Sequence, residues 1–173
     1  MDFLPEGYQA PATSTNYLKL EDGENKFRIL AKPVIGWLDW RDNKPMRFKM
    51  ESKPAAPVDP AKPIRHFWAL LVWSYNHNAV MILEITQSTI QAAITNLSKD
   101  SDWGAPYGYD LKINKKGKEK NTEYSVTPSP KKKLDEAVYK IALDKPVNLN
   151  ELFVNGDPFN STGGTEIQID PFQ

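Results

Sequence analysis

The chain has no cysteine among its 173 residues, which excludes disulfide frameworks, zinc ribbons and thiol nucleophiles. Histidine is scarce too: His66 and His77 are the only two, and they form no His-x-x-x-His pair. The carboxylates fall in no spacing typical of a metal site or of a general acid–base pair. There is no Gly-x-Ser-x-Gly elbow and no glycine-rich phosphate loop, since Lys115-Lys116-Gly117-Lys118 is too short and too basic for one. These absences argue against catalysis, and no cofactor or metal is expected. No apolar run approaches the roughly 20 residues that cross a bilayer, and residues 1–8 lack the basic and apolar stretches of a secretory signal. The expectation is a soluble, cytoplasmic protein without a membrane partner.

Net charge is also missing, with 22 basic against 22 acidic side chains. That zero is a sum over blocks. Residues 1–25 hold one lysine and five acids, and residues 150–173 hold four acids and no base. Between them, residues 26–66 carry ten lysines and arginines against four acids, and residues 112–133 carry eight lysines against two. Segregation of this kind informs about partners more than the total does. Two basic blocks that a fold could bring together point to a polyanion.

Hydrophobic period sets the elements. Residues 1–15 read as an N-terminal arm, and residues 17–20 as a short strand. Phe27, Ile29 and Ala31 alternate with Lys26, Arg28 and Leu30. Residues 25–40 then read as one long strand, bent near Pro33 and Gly36. A long basic loop, 41–64, follows, with Pro54, Pro57, Pro60 and Pro63 spacing it as a stiff connector. Residues 66–75 and 79–85 form a hairpin about Asn76-His77-Asn78. With Tyr75 opposite Ala79, Trp73 faces Met81, Leu71 faces Leu83 and Ala69 faces Ile85, giving an apolar core face and a mixed opposite face.

Ile90, Ala93, Ile94 and Leu97 follow helical spacing behind a Ser88–Gln91 capping box. Residues 107–114 and 122–126 give two more strands around a basic turn. Ser129-Pro130 should open a second helix, carrying Leu134, Ala137, Val138 and Ile141 and ending at Pro146. Lys131, Lys132 and Lys133 would then sit at its N-terminus, where the macrodipole disfavours cations. Residues 16–146 are thus read as one domain with an appended C-terminal helix, and residues 147–173 as an acidic, partly disordered tail.

Five strands with a helix between the third and fourth is the order of an OB-fold, a mainly β, five-stranded and partly open barrel. Its ligand face uses strands two and three with the loops joining strands one–two and four–five. Here those loops are residues 41–64 and 115–121, within the two basic blocks. The chemistry expected there is cations along a phosphate backbone and aromatic faces under the bases. The candidate cations are Arg28, Lys32, Arg41, Lys44, Arg47, Lys49, Lys115, Lys116, Lys118 and Lys120. The candidate stacking rings are Trp37, Trp40, Phe48, Trp68, Tyr107 and Tyr109. A barrel of this size consumes several aromatics, so about half of the six are expected in the core.

The segment Tyr17-Leu18-Lys19-Leu20-Glu21-Asp22-Gly23-Glu24-Asn25-Lys26-Phe27-Arg28-Ile29-Leu30 resembles the single-stranded-DNA-binding proteins of tailed phages and their prophages. So do His66-Phe67-Trp68-Ala69, Leu83-Glu84-Ile85-Thr86-Gln87, Trp103-Gly104 and residues 122–128. The similarity covers roughly residues 17–133. It implies coating of exposed single strands during replication, recombination and repair. The structural zinc of some members is not carried over, because this chain has no cysteine. Near the end, Glu166, Asp170, Pro171 and Phe172 resemble the acidic, Phe-terminated tip by which bacterial single-strand-binding proteins recruit replication and repair enzymes. Asp157-Pro158-Phe159 repeats its tripeptide. An RNA-binding OB module and a carbohydrate- or protein-binding barrel are the alternatives.

Overall fold

A computed structural model describes Phe3 and residues 16–160. Among these residues seven strands form one antiparallel sheet: β1 (Gly23–Ile29), β2 (Val34–Arg41), β3 (Lys44–Lys49), β4 (Arg65–Ser74), β5 (Ala79–Ile85), β6 (Leu111–Lys116) and β7 (Glu123–Pro128). Two helices, α1 (Ser88–Lys99) and α2 (Glu136–Asp144), accompany it. The long strand β4 organises the sheet. On one edge it pairs with β1 and β2 end to end, through Ile29 opposite Val72 and Val34 opposite Ala69; β5 lies along the other. β6 joins β1, and β7 joins β6.

The fold is mainly β, as read from the sequence, but it has seven strands instead of five and is not closed. The expected bent strand is interrupted at residues 30–33, so its halves count separately. The expected loop 41–64 contains β3, which pairs back on β2. Asp42 and Asn43 both take positive φ at that turn, the backbone a tight hairpin needs. Met46 and Phe48 do alternate with Arg47 and Lys49, but the run is short, opens on Pro45 and lies among charges that read as loop. Among the described residues β5 and β7 do not pair, and helix α1 contacts β7 across the opening.

The hairpin register is one residue off the expectation. Ser74 sits opposite Ala79, Trp73 opposite Val80 and Val72 opposite Met81, because the turn spans four residues, Tyr75 to Asn78. A slip of one exchanges faces. Leu70 and Val72 share an inner core with Met81, Leu83 and Ile85, joined by Phe27, Ile29, Leu111, Ile113 and Ile90 and Ile94 of α1. Leu71 and Trp73 share an outer core with Val80 and Ile82, covered by Leu134, Val138, Ala142, Leu149 and Leu152. Both faces are therefore buried, and neither is the mixed face that was expected.

That outer layer corrects two further readings. Helix α2 begins at Glu136, with the Asp135 side chain capping Ala137 N, not at Ser129. Residues 129–132 instead bond back to Asp110 and Gly108 through Ser129 N and Lys132 N. The lysines at 131–133 therefore precede the helix. The stretch 147–160 is not a free tail: Val147, Leu149, Leu152 and Pro158 are buried. Phe159 packs on the outer core, 6.5 Å from the Tyr17 ring and under Lys145, while Asp157 caps its backbone N–H. Glu166, Asp170, Pro171 and Phe172 lie outside the described residues.

Candidate functional site

Cations and rings meet at the N-terminal end of β4. His66 is directly opposite Trp37, and Trp37 is directly opposite Phe48, so three rings line up across β4, β2 and β3. Adjacent strands are about 4.8 Å apart, and the His66 and Trp37 centroids are 5.1 Å apart. His66 Nδ1 donates to the Gly36 carbonyl at 2.8 Å, which fixes the ring and leaves Nε2 at the other side. Gly36 itself must be glycine, because a Cβ there would collide with the Phe48 carbonyl. Trp37 Nε1 donates to the Met50 carbonyl. Lys53 Nζ lies 4.3 Å from the Trp37 ring centre and the Arg41 guanidinium 5.0 Å from Phe48. All three rings remain partly exposed.

The row runs into a groove of about 470 Å³. Ile64, Arg65 and His66 form one wall; Thr86 to Thr89 and Gln91, at the start of α1, form another; Thr122 and Tyr124 form the third. Among the described residues no acidic side chain lines it. The expected capping box at Ser88 does not form. Gln91 instead donates to the carbonyls of His66 and Ile85, and α1 has no side-chain cap at its N-terminus. The positive end of the helix dipole thus adjoins the groove. A second cavity, about 320 Å³, is lined by Trp40, Ala61, Lys62, Pro63 and Arg65. Arg65 lines both cavities.

The ends of the two basic blocks meet at this groove, Ile64 to His66 of the first and Thr122 and Tyr124 of the second, but Arg65 is the one lysine or arginine that lines it among the described residues. Lys115 is directly opposite Tyr124, and Lys116, Lys118 and Lys120 stand exposed on the same hairpin. Gly117, at φ +92°, allows that turn to fold against Asn121.

Other expected residues are placed elsewhere. Arg28 is buried, only 1 % exposed: Nε donates to Asp110 at 2.7 Å, and its other nitrogens donate to the carbonyls of Tyr107 and Lys132. Strand alternation pointed it to solvent, but the 107–110 and 129–134 segments cover that face. Tyr109 is fully buried, its hydroxyl on the Gly104 carbonyl. Trp68 and Tyr107 pack on the inner core. Arg47 makes two bonds to Glu84, so its charge is locally matched. Arg41 pairs with the buried Asp39. Lys32, Lys44 and Lys49 are exposed. Trp40 is partly buried on the face of β2 opposite Trp37, since three residues along a strand reverse the face. Sequence reasoning passed over Lys53, Lys62, Arg65 and Tyr124; their place in a basic block was visible, their pairing partners were not.

Burial raises the pKa of Tyr107, and burial together with Asp100 raises that of Tyr109. Tyr75 is pushed up to about 12, by burial first and then by Asp110, to which its hydroxyl donates. No helix among the described residues is long and apolar enough to cross a membrane. No protein-family model matches the chain, and no curated protein and no solved structure is significantly similar to it.

Proposed function

We propose that the protein binds single-stranded DNA without sequence preference, covering exposed strands during replication, recombination and repair. The observation that carries this is the row His66–Trp37–Phe48 leading into a groove with basic and neutral polar walls and, among the described residues, no carboxylate. Stacking is tolerant of sequence because every base has a π-face, and a cationic groove follows the backbone. Among the described residues a wall without carboxylates, beside Arg65, suits a polyanion. The strand order also supports an OB-type reading. Taken together, β1 and β2 act as the first strand, β4 and β5 as the second and third, and β6 and β7 as the fourth and fifth. Helix α1 then lies between the third and fourth, and β3 elaborates the first loop. Such a protein binds and does no chemistry.

The test is a titration with poly-dT, poly-U and duplex DNA at two salt concentrations, followed by tryptophan fluorescence. Quenching by poly-dT, with log affinity falling linearly against log salt, is the expected result. Equal binding to duplex overturns it, and stronger binding to poly-U reassigns the groove to RNA. The acidic ending that contains Asp170, Pro171 and Phe172 is assigned to docking replication or recombination enzymes. A chain ending at Asn160 should keep its fold and its DNA binding while losing such partners; retained partner capture overturns that assignment.

A further inference from the structure

We propose that the cavity beside Trp40 is a second base-binding subsite, so that a bound strand turns around Arg65 instead of running straight along the aromatic row. This rests on the single-strand reading above and adds a path to it. Trp37 and Trp40 are three residues apart in β2 and so present opposite faces. One lattice of stacked bases cannot reach both rings without passing around the strand. The passage is available where β4 begins, because Arg65 lines the groove and the Trp40 cavity together.

The cavity has the features one nucleotide requires. Its volume of about 320 Å³ lies at the small end of the roughly 300–1,000 Å³ range of ligand sites. Trp40 supplies a ring, Pro63 an apolar surface, and Lys62 and Arg65 two cations. Among the described residues no carboxylate lines it. The ring is held ready in the free protein, with the Lys62 ammonium 5.6 Å from its centre and also donating to Asn43 at 2.8 Å. A base that stacks on Trp40 takes the place of this ammonium, which then turns to the adjacent phosphate. The wall is preformed as well. Its loop is anchored near one end by Trp37 Nε1 on the Met50 carbonyl and near the other by Lys62 on Asn43, with Pro54, Pro57 and Pro60 stiffening the stretch between.

Photocross-linking of the full chain to dT oligonucleotides carrying 5-iodouracil, read by peptide mass spectrometry, tests the path. Adducts are expected at Trp40 as well as on the Trp37–His66 row. Trp40 also packs on the outer core, so two surface variants accompany it. Arg65→Gln should weaken dT oligonucleotide binding about tenfold, because it serves both cavities. Lys62→Gln should weaken it less and move the affinity plateau to a shorter oligonucleotide. Adducts confined to the Trp37–His66 row, together with an unchanged plateau in Lys62→Gln, overturn the subsite and leave the first reading standing. Absence of any poly-dT quenching overturns both.

Discussion

Arg28 and Arg65 both come from the first basic block, yet they live in opposite environments. Every nitrogen of Arg28 is satisfied by protein: Asp110 and two backbone carbonyls surround it, with the Tyr75 hydroxyl on the same carboxylate oxygen. Arg65 is exposed at the mouth of two cavities, and among the described residues it has no ion-pair partner. A buried guanidinium organises the fold around itself, whereas an exposed one is available to a ligand. The same residue type therefore marks a structural centre at one end of the sheet and the proposed binding centre at the other. What covers each arginine makes the difference.

The largest effect should come from breaking the buried centre. Arg28→Met leaves Asp110 charged and without its main partner, a change that typically costs about 3–5 kcal/mol. Urea unfolding should show the loss, and an Arg28→Met/Asp110→Asn double variant should recover part of it. If the single variant is as stable as the parent, Arg28 does not organise the core.

Next in size is the aromatic row at the exposed end. Trp37→Ala should weaken poly-dT binding by about 1–3 kcal/mol, while Trp68→Phe, altered against the inner core, should leave the affinity unchanged. Equal losses from both would erase the distinction between the two ends. The hairpin lysines should act more weakly and through salt. Replacing Lys116, Lys118 and Lys120 by Gln should flatten the log-affinity against log-salt slope by about 0.7 for each phosphate that the hairpin no longer neutralises. An unchanged slope would remove this hairpin from the strand's path.

The smallest effect concerns the buried centre again and is read against pH. The Tyr75 hydroxyl has an ordinary pKa of 10.0 and is raised to about 12 in the fold. Its contribution is fully present below pH 10 and is lost as pH rises through about 12, because the unfolded chain ionises first. Tyr75→Phe should therefore flatten the alkaline loss of stability between pH 10 and 12. Stability profiles that superimpose over that window would show that burial and Asp110 do not hold the Tyr75 hydroxyl protonated in the fold.

Periodicity made several of these elements legible. Helix α1, the β4–β5 pair and the break near Pro33 follow from apolar spacing and proline chemistry, and each lies within a few residues of its expected place. Strand β3 was hidden because its Met46–Phe48 alternation is short, opens on Pro45 and is set among charges. The register of β4 against β5 was hidden because both faces of β4 are apolar, so alternation could not choose between a three- and a four-residue turn. Four of the six expected stacking rings pack on a core: Tyr109 is fully buried, Trp68 and Tyr107 lie against the inner core, and Trp40 lies partly buried against the outer one.

By itself the sequence determined a mainly β chain, two basic blocks between acidic ends, and the absence of any cysteine. Local pattern suffices for these, because each depends on residue type and near-neighbour spacing. The tertiary structure alone decided which cations are free and which rings share a row. Those outcomes depend on pairings between residues far apart: Trp37 with His66, Arg28 with Asp110, and Ile64 to His66 facing Thr122 and Tyr124. The neutral total charge conceals that sorting, since an arginine counts the same in a core salt bridge as at an open groove.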